Sequence, residues 1–89
     1  MKAIISVIGT DRMGVIAKVS GKLFDMQINV EDISQTIMQN YFTMIMMVDM
    51  SKSNLQFNEI ADQLKQLGEE IGMDIRIQSE SIFNAMHKI

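Results

Sequence analysis

An 89-residue chain has room for one domain and no second, since a chain this short buries only about 60–65% of the surface its unfolded form exposes. Its composition, 47% apolar and 21% charged with a net charge of −3, excludes disorder and gives no electrostatic reason to expect nucleic-acid phosphates or anionic lipid as partners. The chain contains no Cys, so disulfides, thiolate zinc sites and Cys nucleophiles are excluded.

Ala3 to Ile8 is short, rich in β-branched residues and closed by Gly9, which predicts a strand buried on both faces. The same run, interrupted by Ser6, is too short for the apolar core of a signal peptide, and no stretch approaches the ~20 apolar residues of a spanning helix. A cytoplasmic protein is expected. From Met13 the spacing changes. Met13, Ile16, Val19, Leu23 and Met26 recur at steps of three or four, predicting a helix that ends near Gln27. Asp11 is placed to cap it by accepting from the amide of Met13 or Gly14.

Ile28 to Met38 returns to a period of two. Asn29, Glu31, Ile33, Gln35 and Ile37 fall on one side, and Ile28, Val30, Asp32, Ser34 and Thr36 on the other, as in a strand with one solvated face. Gln39-Asn40-Tyr41 turns the chain. Phe42 to Met50 follows as a third strand, apolar at Phe42, Met44, Met46, Val48 and Met50, with Ile45 and Met47 on its other face. A strand apolar on both faces must be central or covered. Ser53 and Gln56 form an S-x-x-Q capping box. Behind it Phe57, Ile60, Leu64, Leu67 and Ile71 line one face of a second helix that Gly72 ends. Met73, Ile75 and Ile77 alternate as a fourth strand. Ile82, Phe83, Met86 and Ile89 give segment 81–89 an amphipathic character, closing a single domain over 1–89.

The order β-α-β-β-α-β is the split βαβ arrangement of the α+β ferredoxin-like fold. Right-handed crossovers place both helices on one face of a four-stranded antiparallel sheet, with strands one and three in the middle. The other face is left bare. That face or an edge is expected to be covered by a second copy or by the C-terminal segment.

Few residues could carry chemistry. Gly9-Thr10-Asp11-Arg12-Met13-Gly14 fits G-x-x-x-x-G, but Val15-Ile16 stand where a phosphate-binding loop needs Lys and Ser or Thr. What remains is a turn rich in amides at a helix N-terminus, suited to a carboxylate or other small anion. A plainer reading makes Gly9 and Gly14 permissive backbone and Asp11 only a cap. His87 is the only histidine, which leaves no triad and no multi-His metal site. Of the ten methionines, Met44, Met46, Met47 and Met50 follow strand spacing without Cys or His helpers, so they read as core or interface rather than metal ligands, and no cofactor is implied. An RNA-recognition domain shares the element order, but only Tyr41 and Phe42 could stack on bases and the chain is acidic. Acylphosphatases share it too, and would give Arg12 a phosphate-cradling task. The surrounding residues do not match their longer loop.

The run Gly9 to Ser20, then Leu23 and Ile28-Asn29-Val30, resembles the opening of ACT domains. Asp32 to Ile37, Phe42-Thr43-Met44 and Ile82 to His87 resemble the small bacterial and archaeal UPF0237 proteins made of one such domain. The resemblance covers nearly the whole chain. It implies a regulatory module, not an enzyme, that senses amino acids or other small metabolites and associates with itself through its strands and first helix, often as a side-by-side dimer. Family ligands lie at that interface. The positions carried over are Asp11, Arg12, Met13 and Gly14 in the first loop, Asn29 opening strand two, and Gln35 from the subgroup pattern. Many family members have Pro at the place of Met13, and Met there leaves an amide free. An interaction module without a small ligand, docking on a regulated protein, is the alternative, and an acylphosphatase-like enzyme a third.

Overall fold

The computed structural model describes residues 1–82. Six elements follow in the expected order: β1 (Lys2–Thr10), α1 (Val15–Asp25), β2 (Asn29–Met38), β3 (Tyr41–Asp49), α2 (Phe57–Ile71) and β4 (Met73–Ser79). The strands form one sheet in the order β2-β3-β1-β4, antiparallel throughout. β1 and β3 are central because each side of them must find a partner.

One alternating set from each inner strand makes the core. Ala3, Ile5 and Val7 of β1 pair with Val48, Met46 and Met44 of β3, and all are completely buried. Val19 and Leu23 of α1 and Ile60 and Leu64 of α2 close over the same face. The methionines Met44, Met46, Met50 and Met73 are packing residues here, filling gaps between strand and helix.

Four local readings need correction. The helix starts at Val15, so its buried stripe is Val15, Val19 and Leu23, while Met13 and Ile16 are exposed. Gly14 is the N-cap of α1, at φ 86°, and no side chain caps the helix. Asp11 lies three residues upstream, in a loop whose course the left-handed Gly14 sets. The box at the start of α2 is also displaced, by three residues: Gln56 is the N-cap, and its N–H donates to Glu59 Oε1 at 2.9 Å. Ser53 Oγ instead accepts from Leu55 N–H at 3.2 Å.

The fourth correction concerns β2. A register shift between Val30 and Asp32 leaves Glu31 as a bulge, so Val30 and Ile33 face the same side, opposite Val48 and Met46. Strict alternation had placed them on opposite sides. Neither side of β2 is covered, and all ten of its residues are exposed.

Segment 81–89 opens with a helical turn over 80–82, where Ser79 Oγ accepts from Ile82 N–H at 3.3 Å. The rest of the expected amphipathic segment, 83–89, lies outside the described residues.

α2 rides so closely on β4 that a Cβ added at Gly68 would sit 2.5 Å from the Met73 carbonyl oxygen. Helix propensity alone would make Gly68→Ala stabilising by about 1 kcal/mol. Backbone contact outweighs it, and the substitution is expected to destabilise by about 1–3 kcal/mol in urea unfolding. A gain in stability would show that α2 can lift from β4 at little cost.

Candidate functional site

The first loop is held at three points. Gly9 has no Cβ because one would meet Met73 Sδ at 2.6 Å and the Gly72 carbonyl at 3.0 Å. Asp11 N–H donates to the Asn40 carbonyl at 2.6 Å, tying the loop to the β2–β3 hairpin. Arg12 Nη1 donates to the Ile71 carbonyl at 2.9 Å, at the C-terminus of α2. That helix end carries unpaired carbonyls and the negative pole of the macrodipole, and α2 has no basic residue in its own last turn. Arg12 supplies the missing cation from a distant part of the chain.

With the loop fixed, Gly14 directs α1 so that its first amides face outward. No carboxylate lies in its first turn and no side chain caps it. The positive end of α1 therefore opens onto a hollow of about 180 Å³, lined among others by Asp11, Arg12, Gly14, Val15, Ile16 and Gln35. Gln35 arrives there because it lies opposite Met44, on the helix side of the sheet near the end of β2. A second hollow of about 170 Å³ lies on the other side of Arg12, between Met13, Lys18 and Glu70.

The structure thus brings Asp11, Arg12, Gly14 and Gln35 together and puts Met13 beside them, fully exposed. Asn29 is elsewhere. It opens β2 at the far end of α1, whose 11 residues span about 16 Å. There it lines a broad groove of about 700 Å³ with Phe24, Asp25, Gln27, Asp49 and Lys52. In that groove Ser51 N–H donates to Asp49 Oδ1 at 3.0 Å, which holds the Asp49 carboxyl below the usual aspartate range. Nearby Lys2 Nζ meets Glu31 Oε1 at 3.1 Å, and that hydrogen bond raises the lysine. No group of His, Asp and Glu able to hold a metal ion occurs among the described residues.

Sequence reasoning missed Asn40, the Ile71 carbonyl and Phe24. The first two act through backbone oxygens and leave no side-chain signature. Phe24 did carry a signal, because it falls off the apolar stripe of α1 and is 81% exposed.

Residues 2–78 match the family model for the ACT domain. The chain belongs to the ACT domain family. It is 53% identical over 89 residues to a UPF0237 protein of Clostridium acetobutylicum, covering all of both chains. An ACT domain protein from Streptococcus pneumoniae superimposes with a TM-score of 0.84 at 41% identity, over 98% of each chain. The regulatory subunit of aspartate kinase from Thermus thermophilus superimposes at 0.68 with 26% identity, over 86% of this chain and 50% of that one. The ferredoxin-like element order of this ACT domain and its UPF0237 kinship agree with the resemblance of Gly9 to Ser20 and of Asp32 to Ile37. No helix among the described residues is long and apolar enough to cross a membrane.

Arg12→Ala is expected to cost the ACT domain about 1–2 kcal/mol, the scale of a partly buried charged hydrogen bond. Gly72→Ala should cost as much, since Gly72 sits at φ 73° and its added Cβ would lie 2.7 Å from Arg12 Nη1. In the double variant the two costs should fall short of their sum by denaturant unfolding, because each loses the same contact. Full additivity would mean that Arg12 does not hold α2 in solution.

Proposed function

We propose that this ACT domain is a regulatory module that binds a small amino acid between two copies of itself. ACT domains are typically ligand-binding regulatory modules in amino-acid-regulated proteins. The observation that carries the reading is the division of the nominated residues between the two ends of an uncovered edge strand. The loop, the open end of α1 and Gln35 lie at the end of β2, and Asn29 lies at its start.

Two β2 edges paired antiparallel about a two-fold axis place Asn29 of one copy beside Gln35 and the first loop of the other. The same pairing brings the exposed Ile16 and Phe24 of α1 and Val30, Ile33 and Ile37 of β2 against the same apolar set of the other copy in reverse order, the Val30 end of one strand toward the Ile37 end of the other. In the composite pocket the ligand carboxylate faces the free amides at Val15 and Ile16, where the macrodipole favours negative charge. Its ammonium faces the side-chain oxygen of Gln35, while Asn29 of the other copy, opposite Asp49 rather than Val48, borders the same end of the seam from the other face of the sheet. Only the assembled form has both walls, so ligand and dimer stabilise each other by mass action. The module does no chemistry and acts in the cytoplasm, either on a regulated protein or within a longer assembly.

Thermal unfolding with each of the twenty amino acids at millimolar concentration tests the ligand. At ten times Kd the stabilisation is about 1.4 kcal/mol, a rise in Tm of about 5–10 °C. Gln35→Ala should reduce that rise while leaving the dimer intact. No shift with any amino acid would favour an interaction module that takes no small ligand.

Ile33→Glu and Ile37→Glu test the assembly. Both positions are exposed in the single chain, so the fold survives, but each places a carboxylate in the apolar seam. Sedimentation should show the parent as a dimer and these variants as monomers. A parent that sediments as a monomer at every concentration would remove the composite pocket.

A further inference from the structure

The hollow on the other side of Arg12 has no task in the composite pocket. It lies between the start of α1 and the end of α2 and measures about 170 Å³. Val15 and Ile71, both buried, give it an apolar floor. Arg12, Lys18 and Glu70 stand around that floor, and the fully exposed Met13 borders it. Lys18 comes to the hollow because it follows Val15 by nearly one turn of α1. An apolar base with a few convergent polar groups is the ordinary make-up of a small-molecule site. Charge within the hollow is unbalanced. Arg12 uses one of its several N–H donors on the Ile71 carbonyl, at 2.9 Å, and the others meet no acceptor among the described residues. Lys18 and Glu70 form no ion pair among those residues either. Two cations therefore stand with one carboxylate around a space for one small molecule. A plain dianion such as phosphate is repelled by Glu70, and a neutral amino acid leaves Lys18 unmatched. The complement is a molecule with two anionic groups and one cationic group.

We propose that this hollow is a second ligand site, separate from the composite pocket and complete within one chain, that takes an acidic α-amino acid of the aspartate or glutamate class. One carboxylate pairs with the free N–H groups of Arg12, the other with Lys18 Nζ, and the ammonium with the Glu70 carboxylate. The methylene groups lie on Val15 and Ile71, and the flexible thioether of Met13 folds over them. Arg12 is held in advance by the Ile71 carbonyl and by its close approach to Gly72, where an added Cβ would lie 2.7 Å from Nη1. Ordering it costs the complex little. The same guanidinium offsets the negative pole of α2, which otherwise opposes an anion at this place.

Titration of the full chain, labelled at its methionine methyls, with L-glutamate and L-aspartate tests the site by nuclear magnetic resonance. The Met13 methyl is expected to shift saturably, with a Kd of about a millimolar for a ligand of about ten non-hydrogen atoms. L-Glutamine, which lacks one carboxylate, and glutarate, which lacks the ammonium, should each bind on the order of tenfold more weakly. Lys18→Gln should erase the preference for glutamate over glutamine, and Glu70→Gln the preference for glutamate over glutarate. Both residues are exposed, so the fold survives either change. No saturable shift with either acidic amino acid would overturn the proposal. Equal binding of glutarate or inorganic phosphate would overturn it too, as a nonspecific anion effect. Ile33→Glu separates this site from the dimer pocket. Glutamate binding that persists in that variant supports the single-chain hollow. Binding that is lost there and in Gln35→Ala, yet kept in Lys18→Gln, assigns glutamate to the composite pocket and overturns this inference while the dimer reading stands.

Discussion

An eleven-residue and a fifteen-residue helix do not cover a four-stranded sheet, and most of the surface logic of this domain follows from that shortfall. α2 lies along β4, so the uncovered strand is β2, which pairs with β3 on one edge and buries nothing on either face. Its helix side still carries Val30, Ile33 and Ile37. Each buried aliphatic side chain is worth about 1.5–3 kcal/mol, so three of them beside Phe24 and Ile16 form a seam that gains from a matching surface. An edge strand of ten residues without Pro is also an open ladder of N–H and C=O groups. The Glu31 bulge and its pairing with Lys2 interrupt that ladder at one end and leave the remainder regular.

The core was readable because period and burial agree there. Phe42, Met44, Met46 and Val48 alternate in the sequence and are buried in turn, and Ile60, Leu64 and Ile71 keep helical spacing against them. Gly72 ends α2 in the left-handed conformation that its position suggested. The readings that failed are those in which a one-residue event shifts a frame. The bulge at Glu31 reverses every facing assignment downstream of Val30, and nothing in the local string Asn29 to Ser34 marks it. At α1 the apolar positions 13, 16, 19 and 23 fit a helix as well as 15, 19 and 23 do. The choice falls to Gly14, whose positive φ starts the helix after it rather than before.

The first loop shows the limit more sharply. Asp11 has the residue type of a cap and Arg12 that of an anion ligand, and both types are used differently. The Asp11 backbone, not its carboxylate, makes the structural bond, to Asn40. Arg12 reaches 59 positions along the chain to the end of α2. Such a partnership depends on β1 and β4 being neighbours in the sheet, which topology decides and local sequence does not. Gln35 was nominated from a family pattern, and the alternation that places it beside the loop emerges only after the bulge is known.

Met13 settles how the loop balances order against hydrogen-bonding capacity. Proline at that point would fix φ and remove one N–H, gaining rigidity and losing a donor. Methionine restores the donor, and the rigidity is recovered elsewhere by Arg12 on Ile71, Asp11 on Asn40 and the close approach of Gly9 to Met73. Those three ties leave the amides at the start of α1 unpaired and facing out, with no carboxylate in the first turn to neutralise them. Unpaired helix amides cost little while water satisfies them, but the cost rises once a second copy closes over the hollow and excludes that water. In the proposed dimer, closure of the β2 edge would therefore favour an anionic group at the start of α1, linking assembly to occupancy through one short stretch of backbone.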